Sequence, residues 1–314
     1  MASAIDIPGS GFSYFADDIL WVMDRQDGEL DARGRARGSL YAVSPDDERV
    51  MFKIPHVVGD CPVAAFGAIW LCTPATGLDA VTRIDLTTHD VDLLKTSDAA
   101  NSEPEAICLG RPRHLWISNH LIGTITRLDG DTGNTQMTVG MRDSYGEAPR
   151  GKCATDLDNV WMVMSSSTQL VRFDGRRGAE IGRIDIPTPS GERWLDGVIK
   201  VGRYLFITSL NAVQKVIPAV VPTQSGRADR LVANLVFDDA TAEHSYTTTD
   251  GSNLWLARSQ VNRLYRIDPE SFVVTGYIDL PVEPQGLTSN GRYVWVRTDG
   301  QVLKIDVSEP GRAY

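Results

Sequence analysis

Two or three apolar residues around a tryptophan, followed by a polar break, recur along the chain. The copies are ILWVMD at Trp21, AIWLCT at Trp70, HLWISN at Trp116, NVWMVM at Trp161, NLWLAR at Trp255 and YVWVRT at Trp295, with YLFITS at Phe206 filling the gap. Successive copies lie 40 to 49 residues apart, the period of propeller blades. A second motif follows each. It reads VTRID (Val81 to Asp85), ITRLD (Ile125 to Asp129), LVRFD (Leu170 to Asp174), LYRID (Leu264 to Asp268) and VLKID (Val302 to Asp306), with looser forms in LYAVS and VQKVI. Turn residues come next, as in Asp129 to Gly133. Each apolar segment is four to six residues long and rich in β-branched and aromatic side chains. That length and content predict strands rather than helices.

Each repeat therefore predicts four antiparallel strands, A to D, with the Trp on B and the Arg-x-Asp motif on C. A lone four-stranded sheet has two faces to shelter. Packing such sheets face to face around an axis shelters them. The expected fold is all-β: a seven-bladed β-propeller in one domain spanning 1–314. Its blades fall near 9–58, 59–100, 101–143, 144–190, 191–240, 241–281, and 282–314 together with 1–8. The opening AIDIP repeats the D-strand ending seen in RIDIP (Arg183 to Pro187) and YIDLP (Tyr277 to Pro281). After VLKID only VSEPGRAY remains. Residues Ala4 to Ile7 are thus expected to pair as the outer strand of the last blade. Two stretches interrupt the pattern, Asp24 to Ser39 and Pro218 to Arg230, and both read as surface loops. The RGRAR run (Arg33 to Arg37) within the first could bind an anion or a partner, though a solvated loop is the more common outcome for such a run.

Composition narrows the function classes. Of 314 residues 42% are hydrophobic and 23% charged, so a substantial core is available. A net charge of −10 argues against nucleic acid as a partner and against anionic membranes. No apolar run is long enough to cross a bilayer, and the first residues show no secretory pattern. Four cysteines, Cys61, Cys72, Cys108 and Cys153, lack CxxC spacing. They read as reduced, buried thiols of a cytoplasmic protein. Cys108 and Cys153 hold equivalent strand-A places in neighbouring repeats and are expected to lie close.

Aligning the repeats on Trp exposes a position about eleven residues earlier, followed always by a small residue. The pairs are Ser10-Gly11, Val63-Ala64, Glu105-Ala106, Arg150-Gly151, Asp196-Gly197, His244-Ser245 and Gln285-Gly286. The first member varies freely in chemistry, which a structural position would not require. A second ring lies three residues after Trp: Asp24, Thr73, Asn119, Met164, Ser209, Arg258 and Thr298. Antiparallel pairing brings the end of B beside the start of A, so both rings share one face. From them come the candidate ligand-binding residues Glu105, Arg150, Asp196, His244, Arg258, Gln285, Asp24 and Asn119. Arg150 and Arg258 can grip an anionic group, or pair with the carboxylates around them. His244 is the base that titrates near neutral pH. The remaining histidines show no metal-ligand spacing, and no GxSxG, P-loop or dinucleotide fingerprint is present.

The stretches Glu103 to Asp129, Ala148 to Asp174 and Glu283 to Asp306 resemble the streptogramin (virginiamycin B) lyase family of seven-bladed propellers and the NHL-like group around it. All seven repeats share in the likeness. The resemblance implies an elimination that linearises a cyclic depsipeptide, with bound magnesium. It also implies a His base at the start of an A strand and a Glu at the end of the same blade's B strand. His244 stands at the His position, and Arg258 stands where the Glu is expected. An arginine there repels a divalent cation, so a magnesium site would have to draw on Glu105, Asp196 or Asp24. Three readings follow. The first is a propeller that binds a small molecule or peptide with an anionic group at its channel mouth, with no cofactor required. The second is a lyase with His244 as its catalytic base and either carboxylate-held magnesium or the arginines stabilising an enolate-like oxyanion. The third is a protein-docking scaffold.

Overall fold

The structure is a computed structural model. It describes residues 3–7, 9, 11–26, 37–73, 79–97, 102–141, 149–156, 158–164, 167–188, 194–218, 229–237 and 244–307, with the side chain of Arg150 left out. Ser10, most of the Asp24 to Ser39 and Pro218 to Arg230 insertions, and the tail after Val307 lie outside the described residues.

Among the described residues all regular structure is strand. The chain opens with β1 (Ser3–Asp6). Four-stranded sets follow in order: β2 (Ser13–Ala16), β3 (Ile19–Asp24), β4 (Gly38–Val43) and β5 (Val50–Val57); then β6 (Asp60–Ala65), β7 (Ala68–Cys72), β8 (Ala80–Asp85) and β9 (Val91–Lys95). The third set is β10 (Pro104–Gly110), β11 (His114–Asn119), β12 (Thr124–Asp129) and β13 (Thr135–Gly140). The fourth is β14 (Arg150–Thr155), β15 (Asn159–Met164), β16 (Gln169–Asp174) and β17 (Glu180–Asp185). The fifth is β18 (Leu195–Val201), β19 (Tyr204–Ser209), β20 (Ala212–Ile217) and β21 (Arg230–Val236). The sixth is β22 (Ser245–Thr249), β23 (Leu254–Arg258), β24 (Arg263–Asp268) and β25 (Val273–Asp279). The last is β26 (Pro284–Ser289), β27 (Tyr293–Thr298) and β28 (Gln301–Asp306), completed by β1 in the order β1-β28-β27-β26. The fourth and fifth sets meet through one parallel pair, Lys152 with Gly197.

Ser3 to Asp6 pairs antiparallel with Lys304 to Gln301. The first residues are therefore the outer strand of the last set, as the AIDIP ending predicts. Ser3 Oγ donates to Glu48 Oε1 at 2.6 Å, and Lys304 Nζ donates to the Pro45 carbonyl at 2.6 Å.

The repeat motifs find their physical reasons here. Trp21, Trp70, Trp116, Trp161 and Trp295 are fully buried on the second strand of their sets. Truncating one such side chain costs ~3–5 kcal/mol. The cations of the third-strand motif lie opposite them in register: Trp70 faces Arg83, Trp116 faces Arg127 and Trp161 faces Arg172. Each guanidinium sits 5.2 to 5.8 Å from its ring, a cation–π contact. The Asp that ends the motif makes the turn. Asp85 Oδ1 accepts from the amides of Thr87 and Thr88, Asp129 Oδ1 from Asp131 and Thr132, and Asp174 Oδ1 from Arg176 and Arg177.

By contact density the strands form two compact units, Met1–Val58 with Asp238–Tyr314, and Gly59–Phe237. In the first, one apolar cluster joins Ile5, Ile7, Leu20, Val22, Trp295 and Val302, and another joins Trp255, Leu264, Leu287, Val294 and Val296. In the second, Trp116 packs with Cys108, Met162 and Phe173, and Trp161 with Leu195, Val198 and Leu205.

Cys108 and Cys153, expected as reduced thiols, form a disulfide linking β10 to β14. The expectation of proximity holds and that of reduction does not. Equivalent positions on adjacent first strands bring the Cα atoms to 6.0 Å, within bonding reach. Cys61 and Cys72 carry free thiols, Cys72 fully buried.

Candidate functional site

In every described set the end of the second strand returns to the start of the first, as the ring argument requires. Pro104 pairs with Asn119, Leu195 with Ser209, Ser245 with Arg258 and Pro284 with Thr298. The candidate residues thus gather at strand starts within each unit.

In the Gly59–Phe237 unit, Arg150 is the first residue of β14, and Glu105 and Asp196, both half-buried, are the second residues of β10 and β18. β14 lies between β10 and β18, so these three starts are neighbours. Gly151 makes the approach possible: its φ is +68°, and a Cβ there would overlap the Asp196 carbonyl. Asp196 Oδ1 accepts the indole N–H of the exposed Trp194 at 2.9 Å. Asn119 plays an inward part, fully buried, with Nδ2 donating to Thr126 Oγ1 at 2.8 Å and Thr124 Oγ1 at 3.2 Å.

A residue outside the predicted set completes this group. Lys152 follows Gly151 on β14 and keeps exposed surface. Protein mass surrounds it nonetheless, and that desolvation draws its ammonium below the ordinary lysine range, with Cys61 acting in the opposite sense. The signal was available in the sequence. The matching residues of the other repeats are Phe12, Ala65, Ile107, Val198, Tyr246 and Leu287, so Lys152 is a lone cation in an apolar column.

In the other unit, His244 is exposed just before β22, and its backbone is held by Ser259, whose Oγ accepts from His244 N at 2.9 Å. Gln285 is half-buried on β26. Arg258 and Asp24 are buried. Asp24 Oδ1 accepts from the amide of Gln26 at 2.8 Å. A second unpredicted cation, Arg297 of β27, is fully buried. Desolvation lowers its pKa, while the nearby Asp24 and Asp299 carboxylates act the other way. In the column two residues after Trp, its counterparts are Met23, Cys72, Ser118, Val163, Thr208 and Ala257.

Magnesium finds no cage among the described residues. No group of three or more His, Cys, Asp or Glu side chains is placed to hold a metal ion. Beside His244, the paired strand presents Arg258. Also among the described residues, no helix is long and apolar enough to cross a membrane.

The four-stranded sets, together with the likeness to solved structures, make the fold a β-propeller. Solved structures carry the same fold over nearly the whole chain. Virginiamycin B lyase from Staphylococcus aureus matches with a TM-score of 0.76 at 14% identity, covering 98% of this chain and 99% of that one. A streptogramin B lyase structure matches at 0.71 and 17% identity, over 97% and 96%. BamB from Moraxella catarrhalis matches at 0.60 and 11% identity, over 95% and 84%. No protein-family model and no curated protein matches the sequence.

Proposed function

We propose that this chain is a binding propeller whose ligand is a small molecule or peptide carrying an anionic group. Lys152 is the observation that carries the reading: a cation held in an apolar column, at strand starts where Glu105 and Asp196 also stand and where Arg150 precedes it in sequence. Partial desolvation strengthens a hydrogen bond from such an ammonium to a carboxylate or phosphate. The flanking carboxylates would orient a ligand that also bears hydrogen-bond donors, and Trp194 would offer a flat apolar surface beside them. This departs from an Arg150–Arg258 clamp, because Arg258 is fully buried.

The test is a thermal-shift and calorimetric survey of small carboxylates and acidic peptides against their amidated counterparts. Acidic members should bind, and Lys152→Ala should weaken them by ~10-fold or more, as expected for a charge-assisted hydrogen bond. Equal binding of acid and amide, or unchanged affinity in the variant, overturns the proposal.

A second reading, elimination with His244 as general base, is supported by the exposed position of His244 at a first-strand start and by the fold likeness. One of the similar structures is a catalytically inactive histidine-to-alanine variant of the Staphylococcus aureus virginiamycin B lyase with quinupristin. Ring opening of a streptogramin B that is lost in His244→Ala would favour this reading. No turnover at high protein concentration, with or without magnesium, would remove it.

A further inference from the structure

All four cysteines lie in the Gly59–Phe237 unit, and two of them have no role so far. Cys61 sits in a β-bulge: β6 and β7 pair at Asp60 with Cys72 and next at Val63 with Trp70, which sets Cys61 and Pro62 together opposite the single residue Leu71. Its backbone is left-handed, with φ at +51°. Cys61 packs against the apolar cluster that contains Cys72. Asp60, the residue before Cys61, pairs with Cys72 across the two strands, and Cys61 Sγ donates to the Glu105 carbonyl at 3.2 Å. Two free thiols on paired strands therefore share one cluster, one half-buried and one sealed in the core.

From this placement we infer that Cys61 and Cys72 are a reversible dithiol–disulfide pair, oxidised by thiol–disulfide exchange with a small-molecule disulfide.

Exposure assigns the order of events. The Cys61 thiolate attacks one sulfur of the small disulfide. That S–S bond breaks, and one small thiolate leaves and takes up a proton. Cys72 then gives its proton to solvent base and attacks the Cys61 sulfur. The bond from Cys61 to the small thiol breaks, and the second small thiol is released. Two electrons pass from the cysteine pair to the small disulfide, which ends as two thiols. Cys72 suits the second step and not the first. It is unreachable from solvent, and burial raises its thiol pKa, with Cys61 and the carboxylates of Asp60 and Glu105 acting in the same direction. Once a mixed disulfide stands on Cys61, its place on the paired strand gives Cys72 a high effective concentration that offsets its small thiolate fraction.

The experiment incubates the whole chain with a small oxidised disulfide at mildly alkaline pH, then alkylates and maps peptides by mass. The expected result is a Cys61–Cys72 cross-link and loss of both free thiols. Cys72→Ala should stop at a mixed disulfide on Cys61, and Cys61→Ala should leave Cys72 unreacted. A mixed disulfide that persists on Cys61 in the unsubstituted chain overturns the inference. So does a cross-link from Cys61 to Cys108 or Cys153, or a chain whose two thiols do not react. The unsubstituted chain decides the matter by itself if either variant fails to fold.

Discussion

Arg297 Nη1 donates to the carbonyl of Ile7 at 3.1 Å across 290 positions of sequence, and its Nη2 reaches the Gly9 carbonyl. The fully buried guanidinium thus holds the segment that follows β1. A charged hydrogen bond is worth about 1.5–3 kcal/mol, and removing the donor leaves buried carbonyls unpaired. Arg297→Leu should lower unfolding stability by ~3 kcal/mol in denaturant titration. Removing residues 1–7 should cost at least as much, because it also strips the outer strand from β28.

Arg172 and Asp229 form a second buried contact, with Nη1 to Oδ1 at 3.0 Å and both side chains at most 5% exposed. Asp229 Oδ2 also accepts the Trp161 indole N–H at 3.1 Å, and Arg172 Nε donates to Asn159 Oδ1 at 3.0 Å. Removing one partner strands the other charge in the core. Asp229→Ala is therefore expected to destabilise by ~3–5 kcal/mol. The double replacement Arg172→Met with Asp229→Leu should recover part of that loss, which a double-mutant cycle will read directly.

Cys108 and Cys153 close a loop with a sequence separation of 45 residues. The chain-entropy model gives a cross-link of that span about 4 kcal/mol. Cys153→Ala should shift the denaturation midpoint downward by a corresponding amount, and a reductant should move the parent chain in the same direction. Equal stability of oxidised and reduced chains would contradict this.

His114 is held below its ordinary 6.5, first by burial and then by the Arg127 charge, with Asp129 opposing. Its Nδ1 is buried without a hydrogen-bond partner. The unfolded chain therefore binds this proton at a higher pH than the folded one. The sign follows: stability falls as pH drops through about 6.5 and levels off below the folded-state value. His114→Phe should flatten that part of the stability–pH curve. The Asp85 and Asp129 carboxylates, lowered by turn amides that donate to them, act in a separate window. Their contribution is present above the ordinary carboxylate range and is lost in acid.

The periodic Trp, the Arg-x-Asp motif and the misplaced strand ending together dictated seven four-stranded sets and the pairing of residues 3–6 with the last. They could do so because each reports local geometry: a buried ring, its cation, and a turn whose amides need a carboxylate. The ring positions were equally legible, since strand pairing returns the end of each second strand to the start of the first. What those side chains do was a tertiary decision. Asn119, Asp24 and Arg258 share ring positions with surface candidates, yet packing buries all three. Lys152 was visible only as a cation in an apolar column until the tight approach of β14 to β18 showed where it stands. The disulfide, too, was decided in three dimensions. Spacing along the chain places Cys108 and Cys153 on neighbouring strands, but only the packing of those strands sets the distance between their Cα atoms.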